Sequence, residues 1–337
     1  MHPTLKKLAF TGVVLAFFGL LMELGLRLVG FGQFVLFEPH PELIWQPTPD
    51  QQGRTVAGLH PITIDDRGLR PSAHPMAEKR VVTFGDSVTM GWGVGDAETY
   101  SARLEAGLRE QTGEEWAVDS AGVNAYPLTL CARRAALLAE SESEVNSSAL
   151  WVLAYSFNNR MERLVNGTEA ERDGLRKNVR RKNLLRRFAL YNFVIETVLR
   201  EAVYYRSKDR MVGGDWGTRG EFHDTNLAHQ RQAMEDFLSA AGERPVVFLL
   251  LSSTGQTELS PYQEQFQSYA VDHGVPVVDI VSLWAGTEGR FMDNVHPTAE
   301  GHQLLADALL PAVLEALEPP SPAVESPSDQ DGTDTPR

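Results

Sequence analysis

Five short apolar runs, at residues 81–84, 115–119, 149–155, 245–251 and 275–281, alternate with helix-like stretches at 97–111, 127–141, 226–241 and 262–273. This alternation constrains the fold more than any other feature of the chain. A strand that is apolar without interruption must be covered on both faces, and a helix after each strand supplies the cover while returning the chain in the same direction. The expectation is a parallel, doubly covered sheet. Ligands of such sheets bind beyond the carboxyl ends of the strands, so the residues that follow the runs are the candidates for chemistry.

The first run ends abruptly at Gly85-Asp86-Ser87, small turn-forming residues that leave a hydroxyl at the carboxyl edge of the sheet. Near the other end, Asp293-Asn294-Val295-His296-Pro297 sets an imidazole three residues after a carboxylate. Together they supply a nucleophile, a base and an orienting acid, the parts of a serine hydrolase. Two further segments follow apolar runs between them: Asp119-Ser120-Ala121-Gly122-Val123-Asn124 and Tyr155-Ser156-Phe157-Asn158-Asn159. Pro297 holds His296 extended and suits the first turn of a closing helix over roughly residues 298–317. The glycines at 91, 93 and 95 do not have dinucleotide-fingerprint spacing. By residue type alone, Gly122 also reads as a loop glycine and Asn158 as a strand-end cap. Asp293, His296 and His302 also read as metal ligands, although no HExxH motif or Cys/His cluster accompanies them. Otherwise His302 packs or caps on the closing helix.

With these four blocks in order, residues 78 to 317 resemble the SGNH/GDSL hydrolase family. The resemblance implies a doubly wound, flavodoxin-like five-stranded parallel sheet. It implies Ser87 as nucleophile, His296 as general base and Asp293 as its orienting partner. The oxyanion hole it implies comprises the backbone N–H groups of Ser87 and Gly122 and the side-chain amide of Asn158. The family's third block reads Gly-x-Asn-Asp; this chain carries Ser156 in place of Gly and Asn159 in place of Asp. No metal or cofactor is implied, and activity is expected to rise with pH as the base loses its proton.

Lys6 and Lys7 precede an uncharged run from Leu8 to Met22, and apolar character continues past Glu23 and Arg27 to Val29. As a helix, residues 8–29 extend about 33 Å at roughly 1.5 Å per residue, enough to cross a bilayer. Glu23 and Arg27, four apart, pair on one face. The two lysines favour a cytoplasmic N-terminus, which puts the rest of the chain outside the cytoplasm. No Ala-x-Ala site follows the run, so residues 1–30 read as an uncleaved signal-anchor rather than a cleaved signal peptide. A net charge of −14 argues against nucleic acid as partner, and a lone cysteine, Cys131, excludes an internal disulfide and reads as a small core residue.

Residues 31–77 read as a connecting segment. It contains Gly68-Leu69-Arg70, which looks like the approach segment of membrane-anchored bacterial members of the family. A helical insertion is expected at about 160–225; residues 160–210 hold 14 Lys/Arg against 7 Asp/Glu in an otherwise acidic chain. It reads either as a helix pair with a solvated basic face or as a lid touching anionic head groups or an acidic glycan. The Pro-, Ser- and Asp-rich residues 318–337 read as a disordered tail. Trp92, Asn124, Tyr126 and Asn159 are the expected substrate-lining residues, and their mix of rings and amides suits a short-chain, O-acetyl ester of an envelope carbohydrate. Alternatives are a polysaccharide O-acyltransferase, a lipid-directed lipase or lysophospholipase, and a catalytically silent glycan-binding or scaffold protein.

Overall fold

The computed structural model describes residues 3–55, 60–141, 145, 147–156, 159–199, 223–285 and 289–318. Its centre is a five-stranded parallel sheet of β5 (Lys79–Phe84), β6 (Trp116–Ser120), β7 (Leu150–Tyr155), β8 (Val246–Leu250) and β9 (Val277–Asp279), in the order β6-β5-β7-β8-β9. Strand succession is thus 2-1-3-4-5, the flavodoxin-like winding with its switch point beside the first strand. Successive side chains along each strand face opposite ways and both sets are buried. Val81, Val152 and Leu249 pack with α3 (Tyr100–Thr112) and α11 (Ala299–Leu317). Phe84, Trp151 and Phe248 pack with α4 (Leu128–Glu140), α8 (His223–Ala241) and α9 (Pro261–Asp272). Cys131 is buried in that second layer, where desolvation pushes its thiol well up.

Several boundaries differ from expectation. Residues 31–77 do more than connect: β1 (Phe37–His40) pairs antiparallel with β2 (Ile44–Pro47), and β3 (Gln51–Arg54) with β4 (Pro61–Ile64). Four-residue strands lie below the length at which a periodic pattern stands out, and they hold only because they pack on the domain. Ile62 and Ile64 of β4 bury Met90 of α2 (Ser87–Met90), and Arg70 exchanges two 2.9 Å backbone hydrogen bonds with Ser120 at the edge of the sheet. Pro297 lies outside the closing helix; Thr298 is its N-cap, accepting from the Gly301 N–H at 3.1 Å. Among the described residues the insertion comprises α5 (Asn159–Val165), α6 (Glu169–Arg186) and α7 (Ala189–Phe193), the last continued by a π-helical turn, Val194–Val198. Helix α8 begins at His223, close to the expected end of the insertion. The expected tail, apart from Glu318, lies outside the described residues, as does 200–222.

Helix α1 (Pro3–Leu28) is, among the described residues, the single helix long and apolar enough to cross a membrane. Its large side chains face outward rather than into the domain; Leu8 is 65% exposed and Phe10 71%. The expected pair forms at its end, Arg27 Nε donating to Glu23 at 2.8 Å.

Candidate active site

Strand β5 delivers the chain to Gly85-Asp86-Ser87, where α2 starts at once. Asp86 N-caps this single turn by accepting from the Val88 N–H at 2.9 Å, and its other oxygen accepts from the Ser156 hydroxyl. Ser156 therefore uses its hydroxyl to tie the end of β7 to the Asp86 cap, a contact that a glycine there lacks. The Ser87 N–H belongs to the first turn of α2 and has no acceptor within the helix. Gly91 closes the turn in the left-handed region at φ 73°, and Trp92 N–H returns to the Ser87 carbonyl at 2.9 Å.

The chain brings Asp293 and His296 to the same edge through the loop before α11. His296 Nε2 lies 2.9 Å from Ser87 Oγ, and its Nδ1 lies 2.8 Å from Asp293 Oδ2. The other carboxylate oxygen accepts from the backbone N–H groups of His296 and Val295 at 2.8 and 2.9 Å. Burial alone would raise the Asp293 carboxyl. The hydrogen bond and charge of His296 and the two backbone donors outweigh it and hold the group well below the usual carboxylate range. With that carboxylate ionised, Nδ1 carries the proton and Nε2 is left to accept from Ser87. Thr254, after β8, buttresses the loop by donating its N–H to Asn294 O and its hydroxyl to Asp293 O, both at 2.8 Å.

Gly122 follows β6 and presses against α2. A Cβ there would stand 2.3 Å from Met90 N and 2.6 Å from Thr89 C, so no other residue fits without moving the helix that carries Ser87. Its N–H makes a long, 3.3 Å bond to Ser120 Oγ. Asn158 lies outside the described residues, and of Asn159 only the backbone, opening α5, is described. Trp92 is half-buried with its ring centroid 6.4 Å from that of His296, and Asn124 is half-buried in the loop after β6. Tyr126 departs from the expected lining role. It is buried, packs edge-on against Trp45 and donates its hydroxyl to the Trp45 carbonyl, so it offers the site no free edge.

His302 is not a partner of Asp293 and His296 in a ligand set. Its Nδ1 accepts from the Tyr100 N–H at 3.1 Å, capping α3, and burial, reinforced by the charges of Arg70 and His296, pulls its pKa down to about 3. Among the described residues, no cluster of three or more His, Cys, Asp or Glu is arranged to hold a metal.

The residue that pattern reading left without a role is Arg70. Its buried guanidinium donates to the carbonyls of Met90, Gly91 and Val94 at 2.7, 3.0 and 2.9 Å, and to Asp96 at 2.8 Å. It thereby clamps the turn that carries Trp92 past His296. Trp45 does the same on the Gly122 side, donating from Nε1 to the Asn124 carbonyl at 3.1 Å. The only signal in the sequence is the pairing of Gly68 with Arg70; the carbonyls it serves lie some twenty residues on and leave no mark in side-chain type.

Residues 83–304 match the family model described as GDSL-like Lipase/Acylhydrolase family. No curated protein matches the chain. Similar solved structures include a lipase/acylhydrolase from Enterococcus faecalis, 16% identical with a TM-score of 0.44, the match covering 72% of this chain and 98% of that one. An acetyl xylan esterase is 13% identical with a TM-score of 0.41, covering 69% of this chain and 99% of its own. A two-domain esterase active on acetylated mannans is 13% identical with a TM-score of 0.44, covering 73% of this chain and 52% of its own.

Proposed function

The chain belongs to the GDSL-like lipase/acylhydrolase family and is a serine hydrolase acting on esters; from that premise we propose that Ser87, His296 and Asp293 form the triad of a membrane-tethered, extracytoplasmic esterase of short-chain acyl groups on envelope carbohydrate. The observation that carries the triad is the continuous path from Ser87 Oγ through His296, 2.9 Å on one side and 2.8 Å to Asp293 on the other. Ser87 Oγ attacks the acyl carbonyl while His296 Nε2 takes its proton and then gives it to the departing alkoxide oxygen. Water, deprotonated by the same nitrogen, resolves the acyl-enzyme and returns acid and free Ser87. In this reading the oxyanion is received by the Ser87 N–H, at the positive end of α2, and by the Gly122 N–H once it exchanges its long bond to Ser120 Oγ for the substrate. The family pattern adds the Asn158 amide.

Two features support the finer reading. The end of α1 holds the insertion through Glu23, so cleavage after the apolar run would release that carboxylate from the Ala189 and Leu190 N–H groups; this favours a retained anchor. Half-buried Trp92, its ring 6.4 Å from that of His296, offers the site a ring face, which suits a sugar better than a long alkyl chain. A fluorophosphonate probe is expected to label the wild type and spare Ser87→Ala; equal labelling would remove Ser87 from the mechanism. p-Nitrophenyl acetate is expected to be turned over with higher kcat/KM than the octanoate or palmitate, because each buried CH₂ of a long acyl chain needs apolar wall to gain its roughly 0.8 kcal/mol. A steep rise with chain length would replace the carbohydrate reading with a lipid-directed one. Phosphatase fusions after residue 60 report the topology, and activity confined to cytoplasmic reporters would reverse it.

A further inference from the structure

Helix α6 has two chemically different halves. In the first, Arg172 and Arg176 are neutralised by Glu169 and Asp173 at 2.6–2.8 Å. In the second, Lys177, Arg180 and Arg181 are exposed and have no carboxylate partner among the described residues. With Leu184 they recur at i, i+3, i+4 and i+7, which is one stripe of the helix, and Phe188 follows in extended backbone at the link to α7. The stripe runs from basic to apolar over about 10 Å at roughly 1.5 Å per residue. Leu184 is 60% exposed, Phe188 51% and Val198, at the end of the π-helical turn, 59%. The opposite side of α6 is already occupied, with Leu175 and Val179 against the core and Asn183 bonded to the Phe37 backbone.

The apolar end of this stripe is fastened to the end of α1. The Glu23 carboxylate accepts from the N–H groups of Ala189 and Leu190 at 2.9 and 2.8 Å, and Arg27 donates to the Arg187 carbonyl. Buried Asn192 donates to Phe31 O at 2.8 Å, and the Phe31 and Phe193 rings meet edge to face at 5.4 Å. Where the apolar helix ends, exposed Leu184, Phe188 and Val198 begin, and unpaired cations stand directly behind them. Apolar side chains and cations on one exposed face, continuous with a spanning helix, are the composition of a segment that lies in the head-group layer.

We propose that the α6–α7 insertion docks on the surface of the bilayer that α1 crosses, with Lys177, Arg180 and Arg181 on anionic phospholipid head groups and Leu184, Phe188 and Val198 at the acyl boundary. This deepens the membrane-anchor reading and rests on it. The contact gives the catalytic domain a second point of attachment to the bilayer, because the same insertion packs on the β1–β2 ribbon that holds Trp45 against the site loop.

The test uses the full chain in phosphatidylcholine nanodiscs with and without phosphatidylglycerol. Buried Cys131 is shielded from reagents, so single cysteines at Leu15, Phe188, Val198 and, as controls, exposed Val271 and Leu283 can carry an environment-sensitive fluorophore. The expected result is lipid burial at 15, protection from iodide at 188 and 198 that strengthens with phosphatidylglycerol, and free quenching at 271 and 283. Replacing Lys177, Arg180 and Arg181 with Gln is expected to weaken docking by roughly fivefold per residue while leaving 15 buried. If 15 is in lipid but 188 and 198 quench like 271, the anchor stands and the docking proposal falls. If 15 also quenches freely, both fall. Protection at 188 by a soluble acidic polysaccharide, without response to phosphatidylglycerol, would overturn the membrane in favour of a glycan.

Discussion

The two sides of the candidate site are built by different means. Asp293 and His296 orient each other within one loop: three residues apart, they share a side-chain bond, and the carboxylate also takes the His296 and Val295 N–H groups. The Ser87 side has no such self-sufficiency. Its helix is one turn long and is held by Gly122 from β6, Ser156 from β7, Ile62 and Ile64 from β4, and Arg70 from the segment before the sheet. A base and its acid can be specified locally, whereas a nucleophile on a one-turn helix needs supports from the whole tertiary structure. Substitutions of His296 are therefore expected to cost rate with little stability, and those of the residues that support the Ser87 turn to cost both.

The largest effect is expected at Ser87 itself. Ser87→Ala should lower kcat by about 10⁴–10⁶-fold while changing stability by no more than about 1 kcal/mol, measured by steady-state kinetics and thermal unfolding. Asp293→Asn should follow, with a fall in kcat of about 10³–10⁴-fold, since an amide can neither fix the imidazole tautomer nor stabilise the imidazolium. If the local pair acts as a unit, Asp293→Asn combined with His296→Ala should lose little more than His296→Ala alone; additive losses would show that the two act separately. The same carboxylate predicts a pH signature. Its pKa is lowered on folding from 3.8, so its stabilisation is complete at neutral pH and is lost as pH falls below that unfolded value. Acid unfolding should thus be less steep for Asp293→Asn than for the wild type.

Gly122→Ala should give an intermediate effect of mixed kind. The new methyl meets backbone of α2 rather than a yielding side chain, so a stability loss of about 2–4 kcal/mol is expected together with lost activity. Full stability with reduced activity would mean that Gly122 acts through its N–H alone. Arg70→Lys should be the mildest, costing about 1–2 kcal/mol, because a point charge cannot serve three carbonyls and Asp96 as the planar fork does. Its kcat should fall more than that of a surface control such as Glu110→Gln, and an unchanged kcat would show that the Trp92 turn holds without the clamp.

Much of this was legible in the residue order. The apolar runs located all five strands within about two residues, because a buried parallel strand is apolar at every position and so leaves a dense signal. That Ser87, Asp293 and His296 would come within hydrogen-bond reach was also legible, since a hydroxyl, an imidazole and a carboxylate are the types such a set needs. The short ribbons of residues 37–64 were not, because four-residue strands with mixed exposure have no period to read. Tyr126 was misjudged for a related reason: an aromatic beside a site looks the same in sequence whether its ring faces the substrate or, as here, packs on Trp45 with its hydroxyl bonded inward.

The amino-acid order by itself determined the alternation of strands and helices, the hydroxyl at the end of the first strand, the Asp–His spacing and the apolar N-terminal helix. These properties are set by neighbours in the chain, through side-chain period, turn chemistry and hydropathy. Only the tertiary structure decided that Arg70 braces the Ser87 turn, that Ser156 ties β7 to Asp86, and that Glu23 of α1 caps α7. The partners in these contacts are separated by tens to more than a hundred residues. Several of the acceptors are backbone carbonyls or the donors backbone N–H groups, which every residue carries alike, so no local pattern could distinguish the ones that would meet.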